Sequence, residues 1–226
     1  MKIDNLSVSY GNKTALRDVN VEIQPWEFVF IIGYSGSGKT SLIRSIIGDL
    51  KPVQGSIFLD NGSWLYNNKS DRFMSEYRRS IGVIFQDYKL LESKKVYENV
   101  AFAMEVCGYK EKDIRKKVAE ALEQVGLLFK KNKYIYELSG WEKQRVAIAR
   151  ALVHNPKIII WDEPTGNLDP DTAEEVMDIF DEIHREGITV IMATHDREIV
   201  NKYKKRVIAF KDKQVFSDQN PGTYSL

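Results

Sequence analysis

The stretch GYSGSGKT, residues 33 to 40, decides the fold. It follows the apolar run FVFII (28–32) and precedes TSLIRSIIGDL (40–50), whose apolar residues fall on one face of a helix. Strand, glycine-rich loop and helix in this order form the setting of a phosphate-binding loop. Backbone N–H groups there converge on phosphate oxygens, and the helix N-terminus adds partial positive charge. A plain glycine turn into a helix is the competing interpretation, and this context disfavours it.

The side chains of this loop predict a site for MgATP. Lys39 is expected to reach the β and γ phosphates, and the Thr40 hydroxyl to ligate Mg²⁺. Tyr10, an aromatic residue before the GNK turn, is a candidate to stack on adenine, with burial in the core as the alternative. The predicted nucleotide-binding residues are Tyr10, Gly33, Tyr34, Ser35, Gly36, Ser37, Gly38, Lys39, Thr40 and Ser41.

Three further apolar runs read as strands buried on both faces of a parallel sheet. They are IGVIF (81–85), KIIIW (157–161) and ITVIMAT (188–194). A polar residue follows each run: Gln86, then Asp162 with Glu163, and His195. Because ligands bind at the carboxyl ends of such strands, we expect one site assembled from distant parts of the sequence.

The chemistry of these residues suits triphosphate hydrolysis. Asp162 is expected to serve the magnesium shell, and Glu163 to orient or deprotonate the attacking water. His195 is expected to contact the γ-phosphate. The competing interpretations are a polar turn before Pro164 for the two carboxylates, and a purely structural role for the histidine.

Patterns outside the parallel core predict two further parts. Alternation at Val19, Val21 and Ile23, an Asn-Gly turn in SIFLDNG (56–62) and a hairpin at RVIAFKDKQVF (206–216) indicate an antiparallel sheet. Helical spacing appears in residues 96–106 and 111–126, and YNNKSDR (66–72) reads as a polar loop. We place a helical lobe at residues 87–155, inserted between the second and third core strands.

Composition excludes several classes of protein. Of the 226 residues, 43% are hydrophobic and 29% charged, and the net charge of +1 provides no basic field for nucleic acid. The single cysteine, Cys107, cannot form an intrachain disulfide, which suits a reducing compartment. No apolar run approaches the roughly 20 residues that span a bilayer. We therefore expect a cytoplasmic protein, and if it works at a membrane, another chain must hold it there.

Six motifs occur in the order found in ABC-type ATPase subunits, and the chain resembles that family over nearly its whole length. They are GYSGSGKT, Gln86 after IGVIF, ELSG followed by QRVAIARAL, IIIWDEP, GNLD (166–169) and ATHD (193–196). The resemblance implies an α/β fold in one ABC ATPase domain, residues 1–226. A P-loop (RecA-like) parallel core with an antiparallel β subdomain would take residues 1–86 and 156–226, beside the helical lobe.

The resemblance also implies a homodimer that sandwiches ATP between one subunit's Walker A loop and the other's signature motif. The signature residues facing the opposite subunit's ATP would be Ser139, Gly140, Trp141 and Glu142. Asp169 would lie in the loop that connects the two sites.

The resemblance also implies a set of catalytic residues and a set of magnesium ligands. Glu163 and His195 would be catalytic, while Thr40, Gln86 and Asp162 would form the magnesium shell. Gln86 would also couple the core to the helical lobe.

Three tryptophans occupy positions that this family keeps small. Trp141 replaces a glycine of the signature, Trp26 a glycine in a Pro-Gly turn, and Trp161 a small or aliphatic residue. We expect Trp141 to weaken the signature by bulk at the closing interface, and by strain if φ is positive there. The alternative is an indole that packs outward and leaves the S-x-x-E capping box of Ser139 and Glu142 intact.

Within the family, FQDYKLLESKKVYENVAFAMEV (85–106) resembles the cell-division ATPases of the FtsE type. That resemblance implies an FtsX-like membrane subunit and control of cell-wall hydrolases at the division site. A helix of that subunit would dock in a partly exposed apolar groove, with burial in the core as the alternative. The groove residues would be Tyr88, Leu90, Leu91, Val96 and Tyr97.

Three other functions compete with this one. The first is the ATPase subunit of a lipoprotein or macrolide exporter, and the second is an ATP-binding scaffold with a weakened signature. The third, a soluble ABC protein acting on DNA or the ribosome, usually needs two cassettes or a long coiled coil, and neither is found here.

Overall fold

The computed structural model describes residues 1–60, 62–66, 70–163 and 169–226, apart from the side chain of Pro170. The chain divides into two compact units. Residues 1–78 and 160–226 form the first unit, and residues 79–159 form the second. The predicted helical lobe, residues 87–155, lies within the second unit. Among the described helices, none combines the length and apolar character needed to cross a bilayer.

A three-stranded antiparallel sheet opens the first unit. Its strands β1 (Lys2–Tyr10), β2 (Lys13–Glu22) and β4 (Gln54–Phe58) lie in the order β2–β1–β4. One face of the sheet is buried, with the alternation interrupted where the register shifts, and Leu6 of β1 faces Val19 of β2. The antiparallel sheet predicted from the alternation in β2 is therefore confirmed. The Asn-Gly turn predicted after β4 includes residue 61, which lies outside the described residues.

The second sheet of this unit carries the parallel core. The strands β3 (Phe28–Gly33), β6 (Ile158–Asp162), β7 (Thr189–Ala193), β8 (Arg206–Lys211) and β9 (Gln214–Gln219) follow the order β6–β7–β3–β8–β9. β3 is buried along its whole length and pairs in parallel with both β7 and β8. The predicted α/β fold with a parallel core is confirmed.

The hairpin at residues 206–216 was assigned to the wrong sheet. β8 joins the parallel sheet beside β3, and β9 extends that sheet as its antiparallel edge. The physical reason is burial. The four residues 207–210 are all buried, so both faces of β8 are covered, which suits a core strand rather than a strand of a sheet with one solvated face.

Four helices complete the first unit: α1 (Lys39–Ile46), α2 (Asp71–Arg79, whose last residue belongs to the second unit), α6 (Pro170–Arg185) and α7 (Arg197–Tyr203). The polar loop predicted at 66–72 ends earlier than expected, because α2 begins at Asp71. Residues 67–69 of that loop lie outside the described residues. Trp161 of β6 is fully buried, and its ring lies 4.7 Å from that of Phe180 in α6.

The second unit is mainly helical. It contains β5 (Ile81–Ile84), α3 (Val96–Val106), α4 (Glu111–Gln124) and α5 (Gly140–Leu152), with short 3-10 helices at Leu128–Lys130 and Ile135–Glu137. The first two residues of β6 also belong to this unit, where β5 is the neighbouring strand. The helices predicted at 96–106 and 111–126 are confirmed. Ile114, Val118 and Leu122 form the buried face of α4.

Candidate nucleotide-binding site

The loop between β3 and α1 requires glycine at two positions. Gly33 has φ +154°, and a Cβ there would lie 2.6 Å from the carbonyl oxygen of Phe210. Gly38 has φ +111°, and its Cβ would lie 2.5 Å from the Leu16 side chain. Larger residues would therefore displace backbone or core atoms at both positions. The glycines of GYSGSGKT serve close packing as well as the approach of a ligand.

The N-terminus of α1 is left without a side-chain cap. Gly38 occupies the N-cap position and supplies no side-chain hydrogen bond, and no acidic residue lies in the first turn. The first N–H groups of a helix have no partner within the helix, and they carry partial positive charge. This end of α1 is consequently suited to an anion such as a phosphate group.

Lys39 places a buried ammonium group inside the loop. Its side chain is 6% exposed, and Nζ donates a 2.7 Å hydrogen bond to the carbonyl oxygen of Gly33. Nζ also lies 3.9 Å from Oε1 of Glu163. A buried cation held by carbonyl groups is positioned for exchange to the stronger, charged oxygens of a polyphosphate.

A cavity of about 280 Å³ opens beside this loop within the first unit. Its lining residues are Tyr10, Lys13, Thr14, Ala15, Ser35, Gly36, Gly38, Lys39, Thr40, Ser41, Glu163 and Lys213. Tyr10 is 44% exposed, so it is not a core residue. The Arg44 guanidinium lies 5.8 Å from the centre of the Tyr10 ring, and its Nη1 atom donates a 3.3 Å hydrogen bond to the Tyr10 hydroxyl.

Asp162 ends β6 as a half-buried carboxylate with spare bonding capacity. Its Oδ1 atom is buried without a hydrogen-bond partner among the described residues. Burial raises the pKa of the Asp162 carboxyl above its usual range, while Thr40 and Lys39 act in the opposite direction. A buried carboxylate oxygen without a donor is satisfied by a cation.

Glu163 joins Lys39 and His195 in one cluster. Its Oε1 atom lies 3.5 Å from Nδ1 of His195 and its side chain is 25% exposed. Glu163 has φ +54°, and its N–H donates to the carbonyl oxygen of Ala193 at 2.8 Å. Positive φ at a residue other than glycine is strained, and such strain is concentrated at functional sites. The structure thus brings Lys39, Asp162, Glu163 and His195 to one edge of the parallel sheet.

The predicted signature residues lie in the second unit, at the start of α5. Ser139 is the N-cap: its Oγ accepts from the N–H of Glu142 at 3.2 Å, and its own N–H donates to Glu142 Oε2 at 3.1 Å. Lys130 forms an ion pair with Glu142 and holds the pKa of that carboxyl below its usual range. Ser139 and Gly140 are both exposed. The capping box is therefore intact, and its serine remains accessible.

Trp141 adopts a helical backbone, so the positive φ on which backbone strain would depend is not present. It is the second residue of α5 and is absent from the described positions with φ above zero. Its indole stacks on the Arg145 guanidinium, 4.2 Å from the ring centre. The interaction joins residues one helical turn apart, where side chains meet. Trp26, in contrast, is 71% exposed and has φ +64°.

Two further predicted residues, Gln86 and Asp169, lie outside the cluster formed by Lys39, Glu163 and His195. Gln86 is exposed and follows β5 in the second unit. Asp169 is the N-cap of α6, where its carboxylate accepts from Thr172 N–H at 3.0 Å and from the Thr172 hydroxyl at 2.6 Å. These bonds lower the pKa of Asp169. The preceding residues 164–168, which contain Pro164 and the first three residues of GNLD, lie outside the described residues.

Sequence reasoning missed four cavity residues. Lys13, Thr14 and Ala15 come from the start of β2, and Lys213 from the turn between β8 and β9. Proximity of Lys13 to Tyr10 in the sequence was an available signal for the first group. No local pattern indicates Lys213, because only the sheet topology brings its turn to the cavity.

Family models match most of this chain. A model described as "ABC transporter" matches residues 16–166. A second model, described as "AAA domain, putative AbiEii toxin, Type IV TA system", matches residues 143–201 and covers too little of the chain to assign a family.

Known proteins and structures agree with the first match. The cell division ATP-binding protein FtsE of Streptococcus pneumoniae serotype 2 is 48% identical over 211 residues, 93% of this chain and 91% of that protein. The structure of cbiO1 from Clostridium perfringens, part of the ABC transporter complex cbiONQ, aligns with TM-score 0.88 and 38% identity over 97% of this chain and 88% of that one.

A further solved structure bears on catalysis. It is a dimeric post-hydrolysis state of the ATP-binding cassette MJ0796 with ADP and Pi, with TM-score 0.87 and 34% identity over 99% of each chain. The glycine loop, the buried lysine and the two carboxylates therefore lie in a nucleotide-binding cassette that hydrolyses ATP. This chain belongs to the ABC ATPase family, and within it to the FtsE type.

Proposed function

We propose that this chain binds and hydrolyses MgATP at the cavity of its first unit, as the ATPase subunit of an FtsE/FtsX-type cell-division complex. The observation that carries the proposal is the uncapped N-terminus of α1 beside a buried Lys39. The free N–H groups of the helix and the positive charge of Lys39 both favour an anion, and a triphosphate would serve both together. The carboxylates of Asp162 and Glu163 then lie where a cation and an attacking water are needed.

The residues present fit a magnesium ion. Asp162 offers the unpartnered Oδ1, and Thr40, the exposed second residue of α1, offers its hydroxyl oxygen. The described residues contain no group of three His, Cys, Asp or Glu side chains that would hold a metal by itself. Mg²⁺ commonly takes one or two protein ligands together with phosphates and water. We assign Thr40 and Asp162 to it, and when bound, Mg²⁺ would offset phosphate charge.

Glu163 and His195 are the residues we assign to hydrolysis. Glu163 is held by its backbone bond to Ala193 and faces both Lys39 and His195. A carboxylate so placed can accept a proton from water or orient it for in-line attack. His195 is 56% exposed, which leaves its ring accessible to the terminal phosphate.

The proposal includes a homodimer in which Ser139 and Gly140 contact the ATP of the opposite subunit. The Ser139 Oγ already accepts a hydrogen bond from the helix, so its hydroxyl proton is available for a phosphate oxygen. The N-terminus of α5 adds the same partial charge as that of α1. Trp141 and Glu142 complete the signature, and Asp169 precedes α6 in the loop between the two sites.

Replacing Trp141 with glycine should raise ATP-dependent dimerisation and turnover by about five- to tenfold. The helical backbone keeps its N–H donor, so only side-chain bulk at the interface is removed, and overpacking costs about 1–3 kcal/mol. Sedimentation velocity and phosphate release measure the two effects. Trp26→Gly makes the same chemical change away from the signature and should leave both unchanged. Equal dimerisation and turnover in wild type and Trp141→Gly would show that the tryptophan is tolerated.

An apolar surface on the second unit is the proposed docking site for the FtsX-like subunit. Of the five predicted residues, Val96 is fully buried, while Tyr88, Leu90 and Tyr97 are half-buried and Leu91 is 38% exposed. The alternative of a fully buried core cluster is therefore wrong for four of them. Exposed apolar groups clustered in sequence after a strand suit a helix of a membrane partner.

Leu91→Glu should weaken capture of the FtsX-like subunit of the same organism by about tenfold or more. A charge in an apolar contact leaves an unpaired, desolvated carboxylate. The two subunits would be co-expressed and quantified after affinity purification, with MgATP binding by the variant measured in parallel. Val106→Ser, at another exposed apolar position of the second unit, is the matched control. Equal capture by all three proteins would remove this surface from the proposal.

Phosphate release by the purified chain, with and without the FtsX-like subunit, tests the proposed function as a whole. We expect slow turnover alone and stimulated turnover in the complex, with the chain recruited to the cytoplasmic face of the cell membrane. In this reading the complex controls cell-wall hydrolases at the division site. Tight ATP binding with no phosphate release in either condition would instead identify a scaffold.

A further inference from the structure

We propose that Lys213 contacts the phosphate chain of the bound nucleotide, with Lys13 as a weaker contributor. The inference rests on the proposed MgATP site and extends it with a residue outside the six motifs. Both lysines line the cavity together with Tyr10 and the phosphate loop. Lys213 reaches it from the turn between β8 and β9, more than 170 residues along the chain from the loop.

The backbone fixes Lys213 at the cavity. Asp212 and Lys213, with φ +49° and +68°, form the two central residues of the turn that closes the Lys211–Gln214 pair. Such turns favour glycine or asparagine. The carbonyl oxygen of Lys213 accepts a 2.9 Å hydrogen bond from the Arg17 N–H of β2, which ties the turn to the adjacent sheet. The lysine is thus held in a conformation that its residue type does not favour, as is common at binding sites.

The charges of the cavity favour an anionic ligand for this lysine. Three lysines line it, Lys13, Lys39 and Lys213, against one carboxylate, Glu163. Among the described residues, no carboxylate forms an ion pair with Lys13 or Lys213. An ammonium group bonds most strongly to a charged acceptor, and the charged acceptors of ATP are its phosphate oxygens. Lys213 is half-buried and Lys13 exposed, so the first contributes more.

The test is calorimetric titration of the full chain with MgATP, ADP and adenosine. Lys213→Gln should weaken ATP binding by about three- to tenfold. Lys213→Arg should retain ATP affinity within about twofold, because the charge is kept. The logarithm of the ATP dissociation constant should also rise less steeply with salt in Lys213→Gln than in wild type.

Two further variants separate the contact from other effects. Lys211→Gln removes one charge from the same hairpin outside the cavity, where Lys211 lies over Phe216, and should leave ATP affinity unchanged. Lys213→Gly suits the positive φ, so its melting temperature should match or exceed that of wild type while ATP binding weakens as in Lys213→Gln. A folding defect is thereby excluded as the cause.

Several outcomes would overturn the inference. If Lys213→Gln binds ATP as tightly as wild type does, Lys213 does not contact the phosphates. The same conclusion holds if Lys211→Gln loses as much ATP affinity as Lys213→Gln. An equal loss of adenosine affinity with an unchanged salt dependence would place Lys213 at the ribose or base. The proposed function fails separately: it is contradicted when Lys39→Ala binds ATP as tightly as wild type, whatever Lys213 does.

Discussion

Replacing Glu163 with glutamine is expected to slow ATP hydrolysis by about 10²–10⁴-fold and to leave ATP binding intact, since a general base contributes on that scale. The amide is nearly isosteric and can still lie between Lys39 and His195, but it cannot accept a proton from water. The backbone bond to Ala193 is unaffected, so the strained turn after β6 remains. Single-turnover phosphate release measures the chemical step directly.

The control for this substitution is Glu111→Gln. Glu111 lies on the surface of α4, where it pairs with Arg115 and is 76% exposed. Glu111→Gln removes one negative charge, as Glu163→Gln does, but far from the nucleotide-binding residues in sequence and on the surface of α4. ATP turnover should therefore be unchanged. Hydrolysis by Glu163→Gln at the wild-type rate would show that another group activates the water, with His195 as the next residue of the cluster to test.

Lys39→Ala should weaken MgATP binding by about 10- to 150-fold, which corresponds to roughly 1.5–3 kcal/mol for a charge-assisted contact. The side chain is buried, so solvent does not screen the interaction as it would at the surface. The loss should be larger for ATP than for AMP, because the ammonium group serves the β and γ phosphates. Calorimetric titration with both nucleotides measures the difference.

Lys202→Ala is the matched control for that experiment. Lys202 lies in α7, is 54% exposed and pairs with Glu174. The substitution removes a lysine side chain from a surface ion pair, so ATP affinity should not change. Unchanged MgATP affinity in Lys39→Ala would contradict the assignment of the phosphate loop.

The local part of the fold and site could be predicted from the sequence. Buried parallel strands give continuous apolar runs, and the polar residue after each run marks the sheet edge where Lys39, Asp162 and Glu163 meet. The capping box at Ser139 is likewise a local pattern, and its hydrogen bonds are present. Each of these predictions depends on residues close together in the chain.

The incorrect and missed predictions depended on partners distant in sequence. The hairpin at 206–216 has the same local pattern in either sheet, and only its burial against β3 assigns it to the parallel one. Lys213 lines the cavity because that sheet brings its turn beside β2. Strain at Trp141 depended on a positive φ, which the sequence could not decide, and the backbone there is helical and accommodates a Cβ.

The mass of Glu163→Gln, measured by sedimentation velocity with saturating MgATP, shows whether two chains close on bound ATP. A site that binds ATP without hydrolysing it should hold two chains together through Ser139 and Gly140 of the opposite subunit. We expect a species of two chains, each of 26.1 kDa, that reverts to one chain when ATP is removed or when Lys39→Ala is combined with Glu163→Gln. A single chain at every ATP concentration, with binding verified by titration, would contradict that expectation.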